Sequence, residues 1–286
     1  MKRLLNLELT TVCYANCYMC PRNAIKEHGI INDNTIDDVI RFAKKQSLFE
    51  ISLSGRGEPT LHPDICKIIN RIKVLEVPIS IVTTTDGIND RNMKDILDIV
   101  DILRISVSSI EPEIFHKVHQ GLEYKKIWDN IEKIVNYKPE KIHIHLVGGS
   151  IIYPGLEKTI EFFNKKGINN IYLFPLWNRA GNLNKDEENF RKKIIEKYNI
   201  FYSEDEYMDH EKSELLMSNN YCPIGDSSIM INYKGEFIGC FQDFENKNII
   251  GKVDNSKDLL LLRKKFLGCM QLCKVCNSKK VINNEY

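Results

Sequence analysis

Apolar and polar residues alternate with a period of two in six short stretches of this chain, and helical periodicity fills the intervals between them. Leu5, Leu7 and Leu9 alternate with Asn6, Glu8 and Thr10, a half-buried strand that runs directly towards Cys13. A helical stripe follows at Ile36, Val39, Ile40 and Ala43 with Thr35 as its expected cap, and 50–54 reads as the second strand. The alternation continues with a helix through Ile65, Ile68, Ile69 and Ile72, a strand at 78–85, a helix through Met93, Ile96, Leu97 and Val100, and a strand at 103–108. After these come a helix through Ile127, Ile131 and Ile134, a strand at 141–147, a helix at 156–166, a strand at 170–176 and a helix near 186–198. Six strand–helix units imply an α/β fold with a parallel sheet and helices outside. They are too few to close an eight-fold barrel, so the expected form is an open, partial (β/α)6 barrel of the TIM type.

The pattern also says where chemistry should sit. Each strand is followed by an unusual sequence: the cysteines after the first, Ser54-Gly55-Arg56-Gly57-Glu58-Pro59 after the second, and Thr83-Thr84-Thr85-Asp86-Gly87 after the third. Ser108-Ser109-Ile110-Glu111-Pro112, Gly148-Gly149-Ser150 and Asn178-Arg179-Ala180-Gly181 follow the others. Loops at the carboxyl ends of parallel strands share one mouth, so these stretches should converge. Within the strands, Ile51, Leu53, Ile79, Ile81, Ile105, Val107, Ile142 and Ile144 alternate with a polar row. That row holds Ser52, Ser54, Ser80, Arg104, Ser106, Ser108, His143 and His145, with Val82 as its one apolar member. If the apolar face meets the helices, the interior carries hydroxyls, imidazoles and a guanidinium, which calls for water or a polar ligand.

Composition narrows the class. With 286 residues, 43% of them apolar, the chain can bury a large domain and a small one. Net charge is +1 from 40 basic and 39 acidic residues, so nothing in the balance points to nucleic acid or an anionic membrane. Glu8 interrupts the place where a signal peptide needs its apolar run, and no segment reaches the length of a bilayer span. Nine cysteines without a signal favour metal or redox chemistry over disulfides and place the expected compartment in a reducing cytoplasm.

The cysteines fall in two sets. Cys13, Cys17 and Cys20 form a C-x3-C-x2-C pattern, soft ligands able to hold three corners of an iron–sulfur cubane and leave the fourth open. A structural zinc site with a distant fourth ligand, or three reduced core thiols, are the alternatives. Beyond a charged linker at 203–220, the 221–286 segment carries Cys222, Cys240, Cys269, Cys273 and Cys276. A hairpin at 228–232 and 236–239 brings Cys222 and Cys240 to neighbouring ends.

Together, the first cysteine triad, Gly57-Glu58-Pro59 and the Cys222-x12-Gly235-x4-Cys240 and Cys273-x2-Cys276 spacings resemble radical S-adenosylmethionine (SAM) enzymes of the SPASM/twitch group. The resemblance implies a partial barrel over 1–202 and a small twitch-type iron–sulfur domain over 221–286. It implies two 4Fe-4S clusters: a SAM-binding one on Cys13, Cys17 and Cys20, and an auxiliary one on Cys222, Cys240, Cys273 and Cys276. A zinc reading of the second set stays open. Gly57 and Glu58 are similar to the family's ammonium-binding motif, with Arg56 in place of its first glycine. Met19, Thr85, Ser106 and Ser108 stand where members contact the rest of SAM, although ordinary strand-end capping would also place hydroxyls there.

The implied reaction is hydrogen abstraction by a 5′-deoxyadenosyl radical, with an external electron donor such as flavodoxin or ferredoxin. Passing the substrate's electron to an auxiliary cluster gives oxidation to a ketone. Return of a hydrogen atom from a thiol gives epimerisation, with Cys269 as donor and Cys66 as a weaker candidate that more naturally packs beside Ile65 and Ile69. His143, His145 and Arg179 are the expected substrate contacts or bases, against the alternative of satisfied interior imidazoles. The polar interior, together with a chain that starts at its first strand, favours a sugar or aminocyclitol; modification of a ribosomally made peptide with a separate recognition partner is the runner-up. A non-catalytic iron–sulfur carrier is the rival from another class.

Overall fold

The computed structural model describes residues 2–175, 201–202, 222–254 and 258–264. The period-two stretches become β1 (Arg3–Leu7), β2 (Leu48–Leu53), β3 (Ile79–Thr83), β4 (Ile102–Ser106), β5 (Ile142–Gly148) and β6 (Ile171–Pro175). They pair in chain order, every neighbour parallel. Helices α1 (Asp33–Ala43), α2 (Ile65–Ile72), α3 (Met93–Ile99), α5 (Tyr124–Tyr137) and α6 (Leu156–Lys165) fill the connections, with a further short helix α4 (Pro112–Val118) after β4. The expected stripes are the buried ones: Ile36, Val39 and Ala43 on α1, all four isoleucines of α2, and Ile127, Ile131 and Ile134 on α5. Asn32, not Thr35, caps α1; its side chain accepts the Thr35 N–H at 2.9 Å, because the cap must stand outside the first turn.

The sheet is larger than six strands. Among the described residues it has ten, in the order β10-β9-β8-β1-β2-β3-β4-β5-β6-β7. A short β7 (Phe201–Tyr202) extends the β6 edge. At the other edge the expected hairpin forms as β8 (Ser228–Ile231) and β9 (Glu236–Ile238), and β8 pairs in parallel with β1. β10 (Ile249–Lys252) completes the edge antiparallel to β9. The hairpin thus continues the main sheet, with α7 (Pro223–Ser227) beside β1 and β8 and α8 (Leu259–Lys264) against β10. The expected helix near 186–198, the 203–220 linker and residues 265–286 lie outside the described residues. No helix among the described residues is long and apolar enough to cross a membrane.

One ion pair ties three strands together inside the sheet. Glu50 on β2 receives Arg104 Nη2 of β4 at 2.9 Å on one oxygen, and Arg104 Nη1 at 2.5 Å and Ser80 Oγ of β3 at 2.6 Å on the other. All three residues are buried. Removing one member of a buried pair leaves an uncompensated charge or donor, which costs about 3–5 kcal/mol, whereas replacing both with apolar groups is near neutral. Glu50→Gln is therefore expected to lower the unfolding free energy by about 3 kcal/mol, with Glu50→Leu/Arg104→Met recovering most of it. Chemical denaturation measures both, and a Gln variant as stable as the parent would refute the staple.

Candidate active site

The carboxyl ends of the strands open onto one cavity of about 400 Å³. Its wall carries the polar row anticipated for the interior: Asn6, Ser52, Ser54, Arg104, Ser106 and His145. Cys13, Cys17 and Cys20 line one part of it, and Cys240 lines another.

The loop after β1 is held by backbone contacts on several sides. Val12 accepts the Glu58 N–H at 2.8 Å, and Tyr18 donates to Val118 O at 3.0 Å, so the β2 and β4 loops both grip it. Cys20 N donates to Cys17 O at 2.9 Å, a tight turn that keeps the last two thiols together. Burial pushes the Cys13 thiol up to about 11. Cys17 is pushed up to about 12 by burial first and then by repulsion from Cys20 and Cys13. Three anionic donors crowded in a half-buried wall are stable only if a cationic partner joins them. Among the described residues no three ligating groups close on a single ion. Three thiols on one wall are the soft donor set that iron–sulfur clusters take.

Arg56 explains itself. Its backbone N–H and Nε bond Glu8 Oε2 at 2.9 and 2.8 Å, and its Nη2 bonds Oε1 at 2.8 Å. Nη1 continues to Phe244 O at 3.2 Å, beyond Cys240 in the hairpin's exit. Gly57 must be glycine: a Cβ there would stand 2.3 Å from Thr10 O, backbone that leads into Cys13. The Glu58 carboxylate is engaged by the hydroxyls of Thr60, Thr83 and Thr84 at 2.6–2.8 Å and by the Thr84 N–H at 2.8 Å. It braces the β3 end and remains on the cavity wall.

The other expected cofactor contacts divide. Met19 and Ser106 line the cavity. Thr85 does not; it is fully buried at φ +69°, its N–H bonds Thr83 Oγ1 at 2.8 Å, and Thr84 takes the wall position. Ser108 is also buried away from the wall and bonds His119 Nε2 at 2.9 Å. His145 reaches the wall with its buried Nε2 lacking a hydrogen-bond partner among the described residues, an atom that a bound ligand would satisfy. Burial, then the neighbouring Arg104 charge, holds it neutral well below the usual histidine range. His143 stacks on Tyr172 at 5.4 Å and is not in the wall; burial and Arg104 lower it to about 4. Cys66 packs against the core from α2, as its isoleucine neighbours suggested.

Of the second cysteine set, Cys222 and Cys240 are described, and Arg179, Cys269, Cys273 and Cys276 lie outside the described residues. Each described thiol accepts a backbone N–H, from Gly225 at 3.3 Å and from Gln242 at 3.4 Å. Arg263 of α8, buried and lowered to about 10 by that burial, feels the charge of both. Glu8, Glu50 and His119 were not singled out by pattern. A lone carboxylate between leucines, as in Leu7-Glu8-Leu9, or beside Ile51, is the signal that could have found the first two.

A family model described as the Radical SAM superfamily matches residues 7–173, more than half of the chain. This chain belongs to the radical SAM superfamily. Membership implies a 4Fe-4S cluster and SAM. Among curated relatives, a probable GTP 3′,8-cyclase of Methanocaldococcus jannaschii is 28% identical over 167 residues, 56% of this chain and 54% of that protein. The chain thus spans about half the length of that relative. A probable GTP 3′,8-cyclase of Methanococcus maripaludis is 21% identical over 94% of both chains. Among solved structures, BtrN in complex with AdoMet and 2-DOIA aligns with TM-score 0.58 and 15% identity over 97% of this chain and 93% of that one. SuiB of Streptococcus suis bound to its precursor peptide SuiA aligns with TM-score 0.67 and 15% identity over 98% and 71%. At these identities the structural likeness shows the shared fold.

The close approach of Gly57 to Thr10 makes a sharp test of the radical SAM site. Gly57→Ala should displace the backbone ahead of Cys13, costing about 1–3 kcal/mol of stability and lowering iron bound per chain after anaerobic reconstitution. Iron content and an unfolding midpoint equal to the parent's would show that the cradle does not matter.

Proposed function

We propose that this chain is a radical SAM enzyme acting on a small polar substrate held in the barrel cavity, with oxidation to a ketone or epimerisation as the outcome. The observation that carries this reading is that one continuous wall holds the first three thiols, the polar strand row and Cys240. Cys13, Cys17 and Cys20 hold the SAM cluster, and Met19, Gly57 and Ser106 border the SAM site. When bound, the reduced cluster and SAM supply a 5′-deoxyadenosyl radical that removes a hydrogen atom from substrate.

The chain's own residues position and desolvate. His145 offers its unpartnered Nε2 to a substrate hydroxyl, and Ser52, Ser54 and Asn6 add neutral donors and acceptors. Cys222 and Cys240, each with an N–H···S bond and with Arg263 nearby, fit the start of an auxiliary cluster of twitch type completed by Cys273 and Cys276. That cluster would take the substrate's electron in the oxidation branch; in the epimerase branch Cys269 would return the hydrogen atom, its thiyl radical then being restored by one electron from the external donor and one proton, and Arg179 would assist.

Charge argues for a hydroxylated neutral or cationic substrate over a polyphosphate. Arg104 and Arg56 are each neutralised by a buried glutamate, and Arg22 bonds the carbonyls of Arg56 and Thr11 at 2.9 and 3.2 Å. Carbonyls do not neutralise a guanidinium, so among the described wall residues Arg22 is the one arginine left without a carboxylate partner, too little positive charge to balance a triphosphate. A nucleotide is the second reading, favoured by the cyclase names of relatives that align along 94% of the chain. A peptide delivered by a partner is the third, in line with the peptide bound to SuiB.

Anaerobically reconstituted protein should bind about eight irons, two cubanes' worth, and release 5′-deoxyadenosine from SAM after reduction. Iron near four would remove the auxiliary cluster and the oxidation branch. Screening deuterated sugars and aminocyclitols, nucleotides and peptides for label transfer into 5′-deoxyadenosine identifies the substrate class. The absence of both SAM cleavage and any spectral change on adding SAM would end the enzymatic reading.

A further inference from the structure

His119 takes no part in the reaction just proposed, yet it touches the first cysteine set. It caps the C-terminal end of α4 and is almost wholly buried, its ring 5.0 Å from that of Phe115. Nδ1 lies 3.4 Å from Cys17 Sγ, and Nε2 lies 2.9 Å from Ser108 Oγ. The placement is enforced by backbone on both sides of the residue. Tyr18 N bonds Val118 O at 3.0 Å and Asn16 N bonds Gln120 O at 2.6 Å, so the segments flanking His119 pair with those flanking Cys17. Gly121, at φ +86°, lets the strap close, since a Cβ there would meet Tyr14 O at 2.6 Å.

The two ring contacts fix one proton arrangement once Cys17 is a ligand. An iron-bound thiolate has no proton to give, so the 3.4 Å contact is attractive only when the imidazole supplies it. Nδ1 then carries the hydrogen, and the bare Nε2 accepts the Ser108 hydroxyl. Ser108 thus selects the tautomer, as outer partners of a metal site do. We infer that His119 is a positioning residue whose Nδ1–H donates a hydrogen bond to the Cys17 thiolate of the SAM cluster and thereby sets that cluster's reduction potential. Hydrogen bonds to cluster sulfur favour the reduced, more negative state and raise the potential, and the dry surroundings strengthen the effect.

The inference rests on the reading that Cys13, Cys17 and Cys20 hold the cluster, and the two can fail separately. Full-length protein, reconstituted anaerobically, is titrated with mediators while the reduced cluster is followed by EPR. His119→Leu should cut the ratio of reduced to oxidised cluster at a fixed potential by about tenfold, a shift of about 59 mV to more negative values for one electron. His119→Asn, which can present an amide N–H near the Nδ1 position, should restore most of it, and Ser108→Ala should shift the potential the same way by less. Protein labelled with 15N-histidine should show a nitrogen coupling in pulsed EPR that His119→Leu abolishes. Iron-loaded His119→Leu titrating at the parent potential overturns the inference. If that variant does not load, an unchanged potential in Ser108→Ala together with no 15N coupling in the parent overturns it instead. A parent that binds no iron at the triad sinks the cluster reading and not this one alone.

Discussion

Three soft anions in a poorly solvated wall are the constraint around which this structure is built. Burial, then repulsion from neighbouring anions, pushes Cys13 and Cys17 to about 11 and 12, so without a cationic partner these two thiols stay protonated at neutral pH. A protein that places them together must therefore hold their loop by other means until the partner arrives. It does so with backbone: Val12 to Glu58, Tyr18 to Val118, and Asn16 to Gln120. Each link joins the loop after β1 to the loop after another strand. The parallel sheet makes this possible, because all such loops emerge on the same side.

The same sheet meets a second difficulty, since its interior face is polar where most sheets of this class are filled with aliphatic side chains. Many of the described polar groups there are tolerated because they are paired across strands. Glu50, Ser80 and Arg104 join β2, β3 and β4, Ser54 bonds Asn6 at 2.9 Å across β2 and β1, and Glu58 collects three threonine hydroxyls. Pairing holds the cavity open without leaving charge exposed in it. What stays unpaired, such as Nε2 of His145, is what a ligand can use.

The sequence made the barrel legible and the bracing illegible, for a physical reason. Strand and helix periods are local, so the six parallel strands, the apolar stripes and the hairpin at Ser228–Ile231 and Glu236–Ile238 follow from spacing alone. The cysteine triad is legible for the same reason, being a short motif at fixed intervals. Sheet order beyond the sixth strand is not local. That β8 would pair with β1 depends on a contact across more than two hundred residues, which no period encodes. Likewise Thr85 has the motif position, but its left-handed backbone turns it inward and gives the wall to Thr84. Ser108 faces His119 for a reason visible only once α4, absent from the periodic pattern, is in place.

Arg56 shows how a departure from a pattern can carry structure. Where the resembling motif has glycine, this chain has a guanidinium that grips Glu8 beside the cysteine loop and reaches Phe244 O next to the Cys240 turn. Glycine could make neither contact. One side chain therefore couples the loop after β1, the loop after β2 and the segment following β9, the three stretches that border the cavity between the two sets of thiols. The proposed reaction, with hydrogen abstraction beside the first thiols and, in its oxidation branch, an electron passed towards the second, would need those ends at a fixed separation. A buried bidentate pair with a third contact supplies that rigidity where loops alone would leave the cavity free to breathe. The residue that looks like a defect in the motif is the one that joins the two halves of the site.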